Sequence, residues 1–535
     1  MSLFTTLHFN NQFVKTLPAD PSENNQPRQV HNAAYSWAKP ALVSKPQLIA
    51  YSQNVAELLG ISAVELTSDE FAEIFTGNKI LAGMQHFAMC YGGHQFGHWA
   101  GQLGDGRAIN LGEVVTNNHG LKTVQLKGAG RTPYSRSADG LSVLRSSIRE
   151  FLCSEAMFHL GVPTTRALSL CLTGEQVNRD MFYDGHPKLE LGAVVCRVSS
   201  SFLRFGSFQL PAARKDVSLL KQLVDYSIST DFPSLLSDNA GVFNSKLYLS
   251  WFAEVSERTC SLIVHWLRIG FVHGVMNTDN MSIIGETIDY GPYGWIDNFD
   301  IHWTPNTTDA QGKRYCFGAQ AEIGQWNLFQ LANAIFPLIN DAEALNALLN
   351  EYADNYQQQW LLMMTKKLGF TQYQGDKDQQ LFTDLEGLLS AVETDMTVFY
   401  RQLAKLEIKK ERLQEQDWLP ILDPCIYDLE ELTDTFKVQW SLWFSRYIVR
   451  CQLDDNSAEA RIVLMNSTNP KFVLRNYLAQ QAIEAAEQGD YGEIAILQKI
   501  LQCPYDEQSE YQEYAQKRPE WARNKAGCSA LSCSS

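Results

Sequence analysis

The chain has 535 residues, 45% of them hydrophobic and 19% charged, with 60 acidic side chains against 44 basic ones. That length buries a large core and fills roughly two to four units of about 150 residues each. The acidic balance argues against a nucleic-acid footprint or a polybasic membrane face, while leaving room for a local basic pocket that takes phosphates. Residues 1–8 lack a basic leader followed by an apolar core, and no apolar run approaches the ~18 residues of a membrane span. A cytoplasmic protein is therefore expected, without nucleic-acid or membrane partners. Eleven cysteines are scattered through the chain. Those in apolar elements, such as Cys153, Cys171, Cys196 and Cys260, read as reduced, buried thiols. Cys528 and Cys533, near the C-terminus, read as exposed on a mobile end.

Taken in order, residues 1–85 form a polar, proline-containing leader with helical patterning over 45–59. From Phe87 to Pro211 the chain is glycine-rich and strand-like, with alternation at 107–115, 122–127 and 191–199. One helix interrupts it over 141–160: Leu144, Ile148, Phe151, Leu152 and Met157 share a face, and Gly161-Val-Pro163 ends it. A second covers 247–269, with Phe252, Val255, Leu262, Ile263 and Trp266 inward and Gly270 at its end. From Trp326 onward the pattern is helical, with breaks near Gly369, Pro420 and Pro470. There is no internal repeat. A strand-rich front and a helical back make an α+β chain.

Chemistry concentrates between these halves. Gln102-Leu-Gly-Asp-Gly-Arg107 sets Gly104, Gly106 and Arg107 at a strand-to-strand turn, where bare backbone can approach a phosphate; an ordinary hairpin turn carries the same Asp-Gly. Lys127 ends the next strand, and Glu150 lies on the following helix. A strand lysine held by a helix glutamate is how kinases fix a phosphate-binding lysine, although an isolated pair of this kind is usually a surface contact. Asp139-Gly140 precedes the same helix, where Asp139 is either a helix cap or part of the site. Arg197 and Arg204 sit in an apolar sequence and need an anionic partner, whether ligand or structural carboxylate. Cys90, His94 and His98 are spaced like a helical metal row, but interleaved glycines spoil the helix and leave them structural.

The segment Gly270-Phe-Val-His-Gly-Val-Met-Asn-Thr-Asp-Asn280, followed by Asp289-Tyr-Gly291, matches a kinase catalytic loop and metal motif with the base removed. With His273 and Asn280 aligned, Val275 occupies the base position. Asn280 and Asp289, on either side of an apolar strand at 281–284, can converge on one Mg²⁺. Asp279 can accept a proton from an incoming hydroxyl, or merely cap its loop. The chain is thus either a dead kinase or a nucleotide enzyme with different chemistry. The layout is protein-kinase-like and two-lobed, with an extended helical C-terminal half. It divides into an N-terminal extension (1–85), a nucleotide-binding N-lobe (86–211), a C-lobe catalytic core (212–340) and a helical region with a cysteine-containing tail (341–535).

These words, together with Tyr91-Gly-Gly-His-Gln-Phe-Gly97, Leu111-Gly-Glu113, Ser146–Cys153, Asp289-Tyr-Gly-Pro292 and Ser532-Cys-Ser-Ser535, resemble the selenoprotein O (SelO/YdiU) family of protein adenylyltransferases, from about residue 9 to the end. The resemblance implies a pseudokinase fold that binds ATP flipped and transfers AMP to Ser, Thr or Tyr hydroxyls of proteins, releasing pyrophosphate. It implies nucleotide binding by Gly104, Gly106, Arg107, Lys127, Asp139, Gly140, Arg197, Arg204 and Asp289, with Glu150 pairing the lysine. It also implies Asp279 as proton acceptor and Asn280 and Asp289 as ligands of Mg²⁺ or Mn²⁺. Uridylyl transfer from UTP with manganese, a phosphotransferase using Asp279 as a displaced base, and a non-catalytic ATP-binding scaffold are the alternatives. Many bacterial members of the family have a cysteine after Asp-Tyr-Gly-Pro that pairs with the C-terminal one. Here Tyr293 stands in its place, so Cys533 keeps only half of that switch, with Cys316 or Cys528 as substitutes. A monomer is expected, and self-modification is possible.

Overall fold

The computed structural model describes residues 4, 7–116, 120–181, 184–408 and 414–532. Its front half is built on a nine-stranded sheet. Four long antiparallel strands form the centre, in the spatial order Ala108–Thr116, Gly120–Lys127, Lys188–Ser199 and Arg166–Arg179. Side chains alternate across a strand, so each strand feeds two faces. Val124, Leu126, Val194, Cys196 and Val198 enter one apolar cluster, covered by the helices Gln53–Leu59 and Asp69–Phe75. The opposite face carries Ala193 and Val195 into the main core, packed against Ile148, Phe151 and Leu152 of the Leu144–His159 helix.

The same alternation places Gln125, Lys127 and Arg197 on that second face, with Arg197 opposite Gln125 and Val195 opposite Lys127. Three polar groups are thereby delivered side by side to one end of an apolar layer.

Several sequence expectations hold: the strands near 107–115, 122–127 and 191–199, the Leu144–His159 and Ser245–Ile269 helices, and the helical half beginning at Gln320. Others are corrected. The 45–59 segment splits into a strand, Gln47–Tyr51, and a shorter helix, Gln53–Leu59, because the free sheet edge beside Arg166–Arg179 captures its first part. Residues 205–211 are helical within Phe205–Ala213, not strand-like. Residues 281–284 make isolated bridges with Leu203–Phe205 and Thr287 and no strand, since the chain turns back within a few residues. Pro420 lies inside the Glu415–Leu422 helix, and the break comes after it.

The helical half grips the loop that follows Gly291. Asn476 accepts from the amide of Trp295 at 3.1 Å and donates to its carbonyl at 2.9 Å. Arg475 is buried against Asp395 at 2.8 Å and Asp297 at 3.2 Å. No helix among the described residues is long and apolar enough to cross a membrane.

Candidate active site

Between the sheet and the 273–292 segment lies a cavity of about 680 Å³. Gly104, Gly106, Arg107, Lys127, Asp139, Gly140, Arg197, Arg204, Asp279, Asn280 and Asp289 all line it, as does Val275. Glu150 sits behind Lys127, in a small pocket that shares Lys127 and Arg107. A larger cavity of about 900 Å³, bordered by Lys122, Arg166 and Glu286, lies elsewhere and contains none of these residues.

Asp289 is the hub. Arg197 reaches it at 2.6 Å, Arg204 at 2.7 Å and Lys127 at 3.5 Å. Burial alone would raise its carboxyl, but Arg204, Arg197 and Lys127 together hold it well below the usual carboxylate range. Its φ of 61° is left-handed, an unusual setting that Asp tolerates better than bulky residues and that these contacts pin. Glu150 binds Lys127 at 2.6 Å and Arg197 at 3.0 Å, so the strand lysine and helix glutamate do meet. Asp105, 3.5 Å from Arg204, is the third carboxylate. Three cations thus face three carboxylates, and the network is close to neutral. Burial lowers the Lys127 ammonium, and Glu150 and Asp289 only partly offset this.

The loop that carries Asp279 is a 3-10 turn, Thr278–Asn280, pinned from outside by a β-hairpin formed by Gly92–Gln95 and His98–Gln102. The His94 amide donates to Thr278 Oγ1 at 2.7 Å, and the Phe96 amide donates to Asn277 Oδ1 at 3.1 Å. Gln95 Nε2 donates to Asp279 Oδ2 at 3.1 Å, whereas Asp279 Oδ1 is buried without a hydrogen-bond partner. Burial pushes the Asp279 carboxyl up to about 6, with the Gln95 hydrogen bond working against the rise. Asn280 Nδ2 donates to the Val275 carbonyl at 2.9 Å, which turns the amide oxygen to be the end left for a ligand. His273 does not enter the cavity; its Nε2 lies 3.0 Å from the Ile288 carbonyl and ties the loop to the residue before Asp289.

The glycine loop is used differently from expectation. The amides of Asp105 and Gly106 bond to the carbonyls of Met89 and Gly104, so Arg107 carries the loop's charge into the cavity. Gly104, at φ +88°, lies so close under the Tyr134 ring that no side chain fits. Asp139 is not a helix cap, since Val143 holds that place. Asp139 pairs with Arg179 at 2.7 Å and accepts from the Leu141 amide at 3.0 Å.

Sequence reasoning missed Asp105, Gln95 and Gln125, together with Arg131, Arg136 and Arg179 along the cavity wall. Asp105 was visible between two chosen glycines. Gln95 is 184 residues from Asp279 and gave no local signal.

At the tail, Cys528 is buried rather than exposed, and Cys533 lies outside the described residues. Leu531 is tied to the 305–307 segment by two backbone hydrogen bonds of 2.8 Å. Tyr293 fills its position completely: its hydroxyl donates to the Arg149 carbonyl at 2.8 Å, and the Arg149 guanidinium lies 4.2 Å over its ring. Among the described residues every cysteine is a free thiol, and only Cys503 is exposed.

Comparison with known proteins identifies the family. A family model described as "Protein adenylyltransferase SelO" matches residues 24–502. The chain is similar to proteins named "Protein nucleotidyltransferase YdiU" in Azoarcus sp. (55% identical over 529 residues), Rhodopirellula baltica (53% over 536) and Tolumonas auensis (54% over 529), with 99% of both chains covered in each case. The chain therefore belongs to the SelO family and is an enzyme of the nucleotidyltransferase class.

Proposed function

We propose that this chain has a kinase-like, two-lobed fold and transfers AMP from ATP to Ser, Thr or Tyr hydroxyls of proteins. The observation that carries the reading is the placement of the acid–base groups. Val275 stands where a kinase keeps its base, and the buried carboxylate of Asp279 shares the cavity with the Lys127–Arg197–Arg204 cluster. The acceptor oxygen bonds to the α-phosphorus, the bridge to the β-phosphate breaks, pyrophosphate leaves, and the hydroxyl proton passes to the Asp279 carboxylate, which lines the same cavity.

The charge count favours a divalent cation. Three cations already face three carboxylates, so the cluster has little surplus charge for a triphosphate. Arg107, Arg131 and Arg136 supply some. Asn280 and Asp289 would hold Mg²⁺ or Mn²⁺, and a bound divalent ion would supply positive charge to offset the triphosphate and the departing pyrophosphate. The donor set fits: both ligands are oxygen, and Asp289 is held ionised. Among the described residues no three His, Cys, Asp or Glu side chains cluster as a cage, so Asn280 and Asp289 are the protein ligands this site would offer.

The test uses ATP labelled on the α- or the γ-phosphate, with Mg²⁺ or Mn²⁺, and UTP alongside. Label from the α position on protein, with pyrophosphate released, supports the reading. Label from the γ position would make the enzyme a phosphotransferase. Preference for UTP with manganese would keep the mechanism and change the nucleotide.

A further inference from the structure

We infer that an aromatic face beside the catalytic hairpin docks the acceptor protein, taking a segment that bears an apolar and an acidic side chain near the modified hydroxyl. This rests on the reading above that the acceptor is a protein. The hairpin that reaches Asp279 through Gln95 carries Trp99 on its second strand, 40% exposed. The His94 ring lies 5.2 Å from that of Trp99 and 5.6 Å from that of Trp326. Trp326 opens a stripe along the outer side of the Gln320–Ile339 helix, where Phe329 is 45% and Phe336 40% exposed. Spacings of three and ten residues put all three on one helical face. The strip therefore begins one residue from the group that holds Asp279 and runs outward along the surface. Exposed aromatics aligned on one face mark an interaction surface, and rigid aromatic side chains are the usual anchors of one.

An independent observation supplies the charge. The Arg314 guanidinium stacks 4.6 Å over the Trp326 ring and faces Gly97 at the hairpin turn. Among the described residues no carboxylate forms an ion pair with it, and its Nε and Nη2 have no hydrogen-bond partner. Arg314 packs between Tyr315 and Trp326 with no described carboxylate in ion-pair contact, and a cation so placed favours an incoming carboxylate. The pairing of apolar strip and cation beside one hairpin fits an acceptor segment carrying both complements. A second copy of this chain is disfavoured as occupant, because a net charge of −16 repels its like.

The test measures AMP transfer from α-labelled ATP to three acceptors. Two are synthetic peptides with one central tyrosine, flanked either by leucine and aspartate or by glycine and lysine. The third is N-acetyltyrosinamide, too small to reach the face. Wild type, Phe329→Ser/Phe336→Ser and Arg314→Gln are compared, with thermal midpoints as a check on folding. Wild type is expected to favour the leucine–aspartate peptide by about tenfold or more in kcat/KM, the scale of one good anchor contact. The double variant is expected to lose most of that preference while keeping its thermal midpoint and its rate on N-acetyltyrosinamide. Arg314→Gln should lose only the part owed to aspartate. Equal use of both peptides by wild type, or an unaltered preference in the variants, overturns the docking surface and leaves adenylyl transfer standing. No transfer to any acceptor by a wild type that binds ATP overturns the underlying reading, and docking with it. A wild-type dimer that the double variant converts to monomer, with peptide preference unchanged, gives the face to a second copy and overturns the proposal.

Discussion

Asp279 and Val275 differ by four positions, and that offset is the chemical core of the account. Asp279→Asn keeps the Gln95 contact and removes the proposed proton acceptor. It should lower kcat by about 10²–10⁴-fold while leaving ATP affinity near wild type, as read by steady-state kinetics and equilibrium binding. The same carboxyl predicts a pH dependence. Asp279 accepts a proton only when ionised, and burial pushes its carboxyl up to about 6. The rate should therefore fall as pH drops below about 6 and level off above it, about tenfold per pH unit on the falling limb. A profile flat down to pH 5 would remove Asp279 from the mechanism. Glu150 tests the cation cluster in a different currency. Glu150→Ala leaves Lys127 and Arg197 without one of their buried carboxylates, and denaturant melts should show a loss of about 3–5 kcal/mol. Most of these residues were legible because a motif fixes them locally. Gln95 and Asp105 were not, since their roles depend on which distant segments the fold brings together.

The hairpin 92–102 is the element that fixes the position of Asp279. A Cβ at Gly93 would lie 2.9 Å from Asp279 Oδ1 and 3.1 Å from Thr278 Oγ1, so the glycine is what lets the two segments touch. Gly93→Ala should therefore displace the Asp279 carboxylate and cost about 10²-fold in kcat, with secondary structure by circular dichroism unchanged. Full activity would mean that the close contact is dispensable. The elements also show where local pattern fails. The 45–59 stretch has helical periodicity, yet Leu48 and Ala50 find backbone partners on the Arg166–Arg179 edge, and hydrogen bonding to a sheet overrides the period. At 281–284 an apolar run reads as a strand, but Gly285 turns the chain before a ladder can form. Long, strongly periodic pieces such as Leu144–His159 and Ser245–Ile269 were read correctly, because their burial stripe, stop signals and length agree.

Over the whole molecule, the helical half serves the site by bracing the loop beyond Asp289. Arg475→Met leaves Asp395 buried without its cation and Asp297 with only Arg518, and should lower stability by about 3–5 kcal/mol and loosen the 291–297 segment toward hydrogen exchange. Nothing in the sequence marked that brace, since Arg475 and Asp395 are eighty positions apart. Cys528 was legible as a tail cysteine but not as a buried one, since its burial depends on how the last residues pack back on the fold. The candidate cations Lys127, Arg197 and Arg204 were legible one by one, but their pairing with Glu150, Asp289 and Asp105 was not, because it depends on how the sheet and the 204–289 segment meet. The most direct test of the account is the intact mass of the purified protein and an added acceptor protein after incubation with ATP and Mg²⁺ or Mn²⁺, wild type beside Asp289→Ala. The account predicts mass gains of one or more AMP units with wild type and none with the variant. A gain of phosphate units, or equal AMP gains with both proteins, would contradict it.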